Sequence, residues 1–208
     1  MSGQSDLRLD WCSVKAAKYA VEKWHYSGTF PAGKFNTVGV WEEGSFIGCV
    51  IYGQGANYRI GMPYKLKMDE VSELTRVALS DHKAKTSRIL SIAGKMVARK
   101  NKGLRLFVSY ADTAEGHHGG IYQANGWVYV GSSKSVSFVV HGKAWHPKSL
   151  HSRFGKNGND ISWIRSNIDP KAEYRRNLVK HKYLMPLDRK MAEFIEPLRQ
   201  DYSKRDQE

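Results

Sequence analysis

The sequence predicts an α/β domain built on one mixed sheet, followed by a basic extension. Two observations carry that prediction. Elements read in the order helix, hairpin, strand, helix, buried strand, helix, hairpin, which is the order of a sheet flanked by helices. Within that order "LRLFVSYA" is a nearly continuous apolar run, the pattern of a strand covered on both faces. With 208 residues the chain holds one sizeable core, or a core with an appendage. We place the core at residues 10–146 and a helical, basic extension at 147–208.

Taken in order, "SVKAAKYAVEKWHY" starts with Ser13 as a cap and sets Val14, Ala17, Val21 and Trp24 on one helical face. "FNTVGVWEEGSFIGCVIYG" is a hairpin about Glu42-Glu43-Gly44-Ser45. A long loop follows from Gly53 to Met68, rich in Gly and Tyr, and loops of that length are usually functional or mobile. "VSELTRVAL" is a third strand. "TSRILSIAGKMVARKN" is a helix capped by Thr86 or Ser87, with Ile89, Ile92, Ala93, Met96 and Val97 facing inward. After the apolar strand, "GGIYQANG" gives a short helix that Gly126 is suited to end. "WVYVGSSKSVSFVVHG" reads as two strands about a Gly-Ser-Ser-Lys turn. The remainder has basic loops and two helical stretches, "DPKAEYRRNLVKH" and "LDRKMAEFIEPLRQDY".

Charge points to a polyanionic partner. The formal net charge is +13, and its distribution matters more than its sum. Eight Lys and Arg and no acid lie between Lys83 and Arg105, and ten basic residues face three acids between Lys143 and Lys182. Such blocks track phosphates. Lys95, Arg99, Lys100, Lys143, Lys148, Arg153 and Lys156 are therefore the expected nucleic-acid contacts, with Tyr58 and Tyr64 of the long loop as aromatic faces on which a base can stack. Trp127 is read as core. Two cysteines are too few for a disulfide framework or a zinc cluster and fit a reducing cytoplasm. No apolar run reaches the roughly 18 residues that a membrane span needs, and the N-terminus has no hydrophobic signal core.

The stretch "SYADTAEGHHGGIYQANGW" sets two acids, two histidines, four glycines and two tyrosines at and just after the end of the buried strand. Ligands collect at the C-terminal ends of strands in open α/β sheets. Asp112, directly after that strand, is thus a candidate site residue, against a bland role of capping the turn, and Tyr122, ten residues on, is weighed against ordinary packing in a helix. A set of His25, Asp112 and His118 suits iron with open positions. Adjacent histidines rarely share one ion, so His117-His118 is preferred as part of a loop touching phosphate or donor.

The element order resembles the GNAT acyltransferase fold. "KWHYS", "ELTRVAL", "YADTAEGHHGGIYQANGW" and "KHKYLMPL" together resemble the Mom family of phage and prophage DNA-modification proteins. That resemblance covers roughly Val14 to Leu187. It implies an enzyme that adds an acetamido (carbamoylmethyl) group to the exocyclic amine of adenine in double-stranded phage DNA, protecting it from host restriction. It implies His25, Tyr26, Asp112 and Tyr122 as the catalytic set, with Asp112 as the base and Tyr122 as the acid. It also implies a phosphate-binding turn at "HKAKTSRIL", where Lys83, Lys85, Thr86, Ser87 and Arg88 are the candidate cofactor contacts. That turn lacks the glycines that let a backbone approach coenzyme A closely. The donor is left between acetyl-coenzyme A and glycyl-tRNA, because a carbamoylmethyl group is an isomer of a glycyl amide. The expected setting is the host cytoplasm, as monomer or homodimer, with DNA and a tRNA carrier as partners. A conventional N-acetyltransferase and a non-catalytic DNA-binding protein are the competing readings.

Overall fold

The computed structural model describes residues 6–202 except 32, 56 and 146. Its strands follow the order β1-β2-β3-β4-β5-β8-β6-β7, and the chain divides into two compact units rather than at residue 146. One unit takes in the described residues up to Ala111, His118–Gly131 and those from Lys182 on. The other consists of Asp112–His117 and Ser132–His181. The last segment of the expected extension therefore belongs with the first unit.

In the first unit, β1 (Leu7–Trp11) pairs antiparallel with β2 (Phe35–Glu42). This short strand carries too many charges to stand out in the sequence. Helix α1 (Val14–Trp24) begins as expected, with Ser13 Oγ accepting from the Ala16 N–H at 3.2 Å. Its apolar face buries Ala17, Ala20 and Val21 against Cys49, Ile51 and Ala78. Full burial of a side chain the size of Val21 contributes about 1.5–3 kcal/mol. The hairpin from β2 to β3 (Ser45–Gly53) turns at Glu43 and Gly44, with φ of 51° and 76°. Two positive φ values give the turn the twist of the strands it joins.

The loop after β3 folds more tightly than expected. Around a short 3-10 turn, Met62–Tyr64, residues Ile60, Tyr64 and Leu66 are buried with Val71, Leu106 and Val108. Strand β4 (Val71–Leu79) pairs antiparallel with β3 and parallel with β5 (Leu106–Asp112). The parallel ladder covers three pairs, Val71 with Leu106 through Glu73 with Val108. Past Glu73, β4 stays on β3 up to Leu79 while β5 diverges from it. That divergence is a wedge between neighbouring strands.

Helix α2 (Thr86–Lys100) joins β4 to β5 and buries Ile89, Leu90, Ala93, Gly94 and Val97. Lys85 holds its N-cap position and no side chain caps it, so the expected Thr86 or Ser87 cap is not formed. Both residues already lie inside the first turn. Helix α3 (Gly120–Gln123) follows β5, and Gly126 with φ of 71° closes the turn beyond it.

Two expectations for the later chain are corrected. "WVYVGSSKSVSFVV" is one strand, β6 (Val128–Val140), and the Gly-Ser-Ser-Lys turn does not form. Its serines and Lys134 alternate sides of a strand that simply continues. Most of "DPKAEYRRNLVKH", expected as a helix, lies instead in strand β8 (Glu173–Pro186). It lies between β5 and β6, where unpaired backbone groups need a partner. Helix α6 (Arg189–Ile195) then begins at its Asp188 cap.

The second unit has its own core. Phe138 and Val140 of β6 pack with Leu150 of α4 (Pro147–Phe154), Ile164 of α5 (Ile161–Asn167) and Ala172. β7 (Lys143–Trp145) returns along β6, pairing Trp145 with Phe138. Among the described residues no helix is long and apolar enough to cross a membrane.

Candidate active site

The wedge of the first unit is held by a side chain. Where the β4–β5 ladder ends, Ser109 Oγ donates to the Leu74 carbonyl at 3.0 Å. Its hydroxyl has one proton, so the 2.9 Å contact with Tyr122 is made by the tyrosine donating to Ser109 Oγ. Tyr122 comes from α3 and is 7% exposed, stacked on Tyr183 at 4.9 Å and tilted against Trp127 at 5.3 Å. Burial pushes its phenol up to about 12. At neutral pH it is a proton donor. Gly119, at the start of α3, has φ of 78°, and a side chain there would overlap the Tyr183 ring. Only glycine meets both demands.

His25 and Tyr26 follow α1 directly. The Ser27 N–H donates to His25 Nδ1 at 3.1 Å. A backbone amide only donates, so Nδ1 is the acceptor and the neutral ring carries its proton on Nε2. His25 does close the helix, through its backbone N–H on Val21 O at 3.2 Å, while its imidazole Nδ1 is held by Ser27. Tyr26 lies over the imidazole at 4.3 Å and is 56% exposed, so it is not a core aromatic.

Arg76 was not singled out from the sequence. Its Nε and Nη2 both donate to the Thr29 carbonyl at 3.1 Å, and Nη1 donates to the Thr75 carbonyl at 2.7 Å. It thereby ties the segment after α1 to β4. Burial lowers its guanidinium, while Tyr26 and Glu73 act in the opposite sense.

Glu73 was missed as well. It sits at the last rung of the parallel ladder, and a side chain at Gly55 would overlap its carboxylate. Its charge bears on Tyr110, Tyr122, Arg76 and Lys182. Lys182 lies over the rings of Tyr64 at 5.0 Å and Tyr110 at 5.8 Å, and burial lowers its ammonium. The signal for Glu73 and Arg76 was a charged side chain inside a β-branched strand, in "ELTRVAL".

In the second unit, Asp112 ends β5 and accepts an ion pair from Lys180 at 3.0 Å. Its carbonyl takes the His117 N–H at 3.2 Å, and Thr113 Oγ1 donates to Val179 O at 2.9 Å. The carboxylate is thus held by a lysine, while the turn after it is closed by the backbone.

The other expected residues fall as follows. Tyr64 is 4% exposed and belongs to the core, which corrects its assignment as a stacking face. Tyr58 is 67% exposed, with the Arg59 guanidinium 5.2 Å over its ring. Lys95, Arg99 and Lys100 are exposed on α2, and Lys143, Lys148, Arg153 and Lys156 are exposed in the second unit. Trp127 is core. Of the cofactor contacts, Lys83 pairs with Glu43 at 2.8 Å and Thr86 Oγ1 donates to His82 Nε2 at 3.1 Å. Lys85 and Arg88 are not buried, and Ser87 is partly buried. Among the described residues no group of three or more His, Cys, Asp and Glu is arranged to hold a metal. His25, Asp112 and His118 therefore do not make the iron site weighed above.

A mixed sheet with a splayed parallel pair and a helix between those strands is the architecture of a GNAT-like fold. The fold is similar to a putative acetyltransferase from Acinetobacter baylyi ADP1, with a TM-score of 0.51 and 13% identity over 98% of this chain and all of that one. It is also similar to a probable GNAT-family acetyltransferase from Chromobacterium violaceum, with a TM-score of 0.47 and 12% identity over 88% of this chain and 84% of that one. The particular family is narrower. Residues 6–204 match the Mom protein family, and the chain belongs to it. It is 25% identical, over 90% of its own length and 78% of the relative's, to the methylcarbamoylase Mom of Escherichia phage Mu.

Proposed function

We propose that this chain modifies phage DNA, placing a carbamoylmethyl group on the exocyclic amine of adenine in the duplex and thereby shielding the DNA from host restriction. The observation that carries this reading is the neutral, buried phenol of Tyr122 hydrogen-bonded into the wedge, in a chain similar over 90% of its length to a methylcarbamoylase. Adenine's exocyclic amine is conjugated into the ring and is a poor nucleophile. It needs a group to take its proton as the new bond forms, and a donor to protonate the leaving oxygen or sulfur. Tyr122 supplies the proton. Asp112 takes one up, and Glu73, at the last rung of the β4–β5 ladder, is a second group of that kind.

A stacked base is out of reach of such a site, so the target adenine is flipped out at a cost of a few kcal/mol. Tyr58 is the exposed aromatic of the loop that can face it. The exposed lysines and arginines of α2 and of the second unit hold the phosphates, and the host cytoplasm is the place of action. An aminoacyl donor accounts for the product. The amine attacks the carbonyl carbon of a glycyl ester, forming an N–C bond and releasing the carrier alcohol with a proton. The glycine amine then attacks the ring carbon, and the amide nitrogen departs from that carbon as it gains a proton. What remains is the carbamoylmethyl amine, with no oxidant consumed.

The test is the mass of nucleosides digested from DNA of cells expressing the chain. A deoxyadenosine heavier by one carbamoylmethyl group supports the reading. Unmodified DNA from cells that hold folded, DNA-binding protein overturns it.

A further inference from the structure

The turn that leads into α2 already contains an anion. Glu42, the last residue of β2, is 6% exposed. Its two carboxylate oxygens each accept one backbone N–H, from Lys83 and from Ala84, both at 2.8 Å. Glu43 takes the Lys83 ammonium at 2.8 Å. Thr86 is engaged with His82, whose Nδ1–H donates to the Ser80 carbonyl at 2.7 Å. Next to this turn, a cleft of about 520 Å³ is lined by Trp24, Leu79, Ser80, Asp81 and His82, and so presents a carboxylate at the same end.

Convergent amides ahead of a 15-residue helix are the arrangement that receives a phosphate. Here a carboxylate of the same sign occupies both. It is tethered through the hairpin, so it competes at a high effective concentration. An incoming diphosphate would have to expel it, stranding a buried charge beside two further negative groups. We infer that Glu42 is the resident anion of this cradle and sets the donor class: the acyl carrier is not anchored by a diphosphate at α2. This rests on the transferase reading above, and it leaves an ester on an RNA terminus, held by the exposed basic surface, as the donor that fits.

Amide NMR on the full chain tests this, with coenzyme A and inorganic pyrophosphate as probes. In the unaltered protein the Lys83 and Ala84 amides should exchange slowly with solvent and should not move when either probe is added to millimolar concentration. Glu42→Ala should speed their exchange at least 10-fold and let pyrophosphate shift them. Glu42→Gln keeps one acceptor and removes the charge, so it reports on the cradle even where the Ala variant fails to fold; pyrophosphate should shift the same two amides. Shifts at Lys83 and Ala84 on adding coenzyme A to the unaltered protein would overturn the inference. So would unchanged exchange and no pyrophosphate response in a folded Gln variant. These outcomes are independent of the nucleoside masses, so the cradle and the DNA reaction stand or fall apart.

Discussion

Tyr122→Phe separates chemistry from architecture more cleanly than any other single change in the wedge. The substitution deletes one hydroxyl and keeps the ring stacked on Tyr183 and against Trp127. The interaction it removes is a donor to Ser109 Oγ at 2.9 Å. Ser109 keeps its own proton on the Leu74 carbonyl at 3.0 Å, so no buried donor is orphaned. A net hydrogen bond between neutral groups contributes about 0.5–1.5 kcal/mol. For a domain of this size, 1 kcal/mol lowers Tm by roughly 2–4 °C. The loss of a positioned general acid costs about 100- to 10,000-fold in turnover. Phenylalanine should therefore leave a cooperative transition within about 6 °C of the parent and abolish detectable adenine modification. The assay pairs nucleoside mass spectrometry with a thermal melt on the same preparation. Full modification by the Phe variant would refute the role of the phenol. A melt lowered by far more than this, with activity falling only as folded protein is lost, would make Tyr122 a structural residue.

Changing Lys95, Arg99 and Lys100 to Glu should weaken DNA binding for all sequences and reduce the slope of log K against log salt by roughly 0.9 for each phosphate no longer neutralised; an unchanged slope removes α2 from the interface. Gly119→Ala should destabilise the first unit, since the residue has φ of 78° and a side chain there overlaps Tyr183, and a melt equal to the parent's would contradict that packing. Asp112→Asn should retain DNA binding and folded protein while abolishing modification, and a fully active Asn variant would shift the base role to Glu73. The Asp188 carboxyl lies below its usual value of 3.8, first because Arg105 hydrogen-bonds it. A depressed folded value means stability that is present above the ordinary carboxylate value and lost as pH falls through the folded one. Asp188→Asn should thus lower Tm at pH 7 and narrow the difference from the parent below about pH 4, as a melting series across pH would record.

What the sequence determined by itself was local and periodic. The Ser13 cap, the 3.6-residue stripes of α1 and α2 and the Glu43-Gly44 turn follow from interactions within a few residues, and so does the apolar run of β5. Tyr122, Asp112, His25 and Tyr26 stand out in the sequence as candidates because they crowd into two short blocks. The tertiary structure decided what depends on distant partners. β8 is rich in Lys, Arg and Leu and reads as a helix, yet a place between two strands makes it a strand. Tyr64 looked like an exposed loop aromatic until Ile60, Leu66 and Val71 closed around it. Glu73 and Arg76 gain their meaning only where β4 leaves β5, and Ser109 only because its hydroxyl reaches across that gap. Glu42 is 41 positions from the Lys83 amide that it binds, and no pattern along the chain announces such a pair. Local patterns encode backbone preference and burial, whereas hydrogen-bond partners and wedge geometry are set by which strands meet.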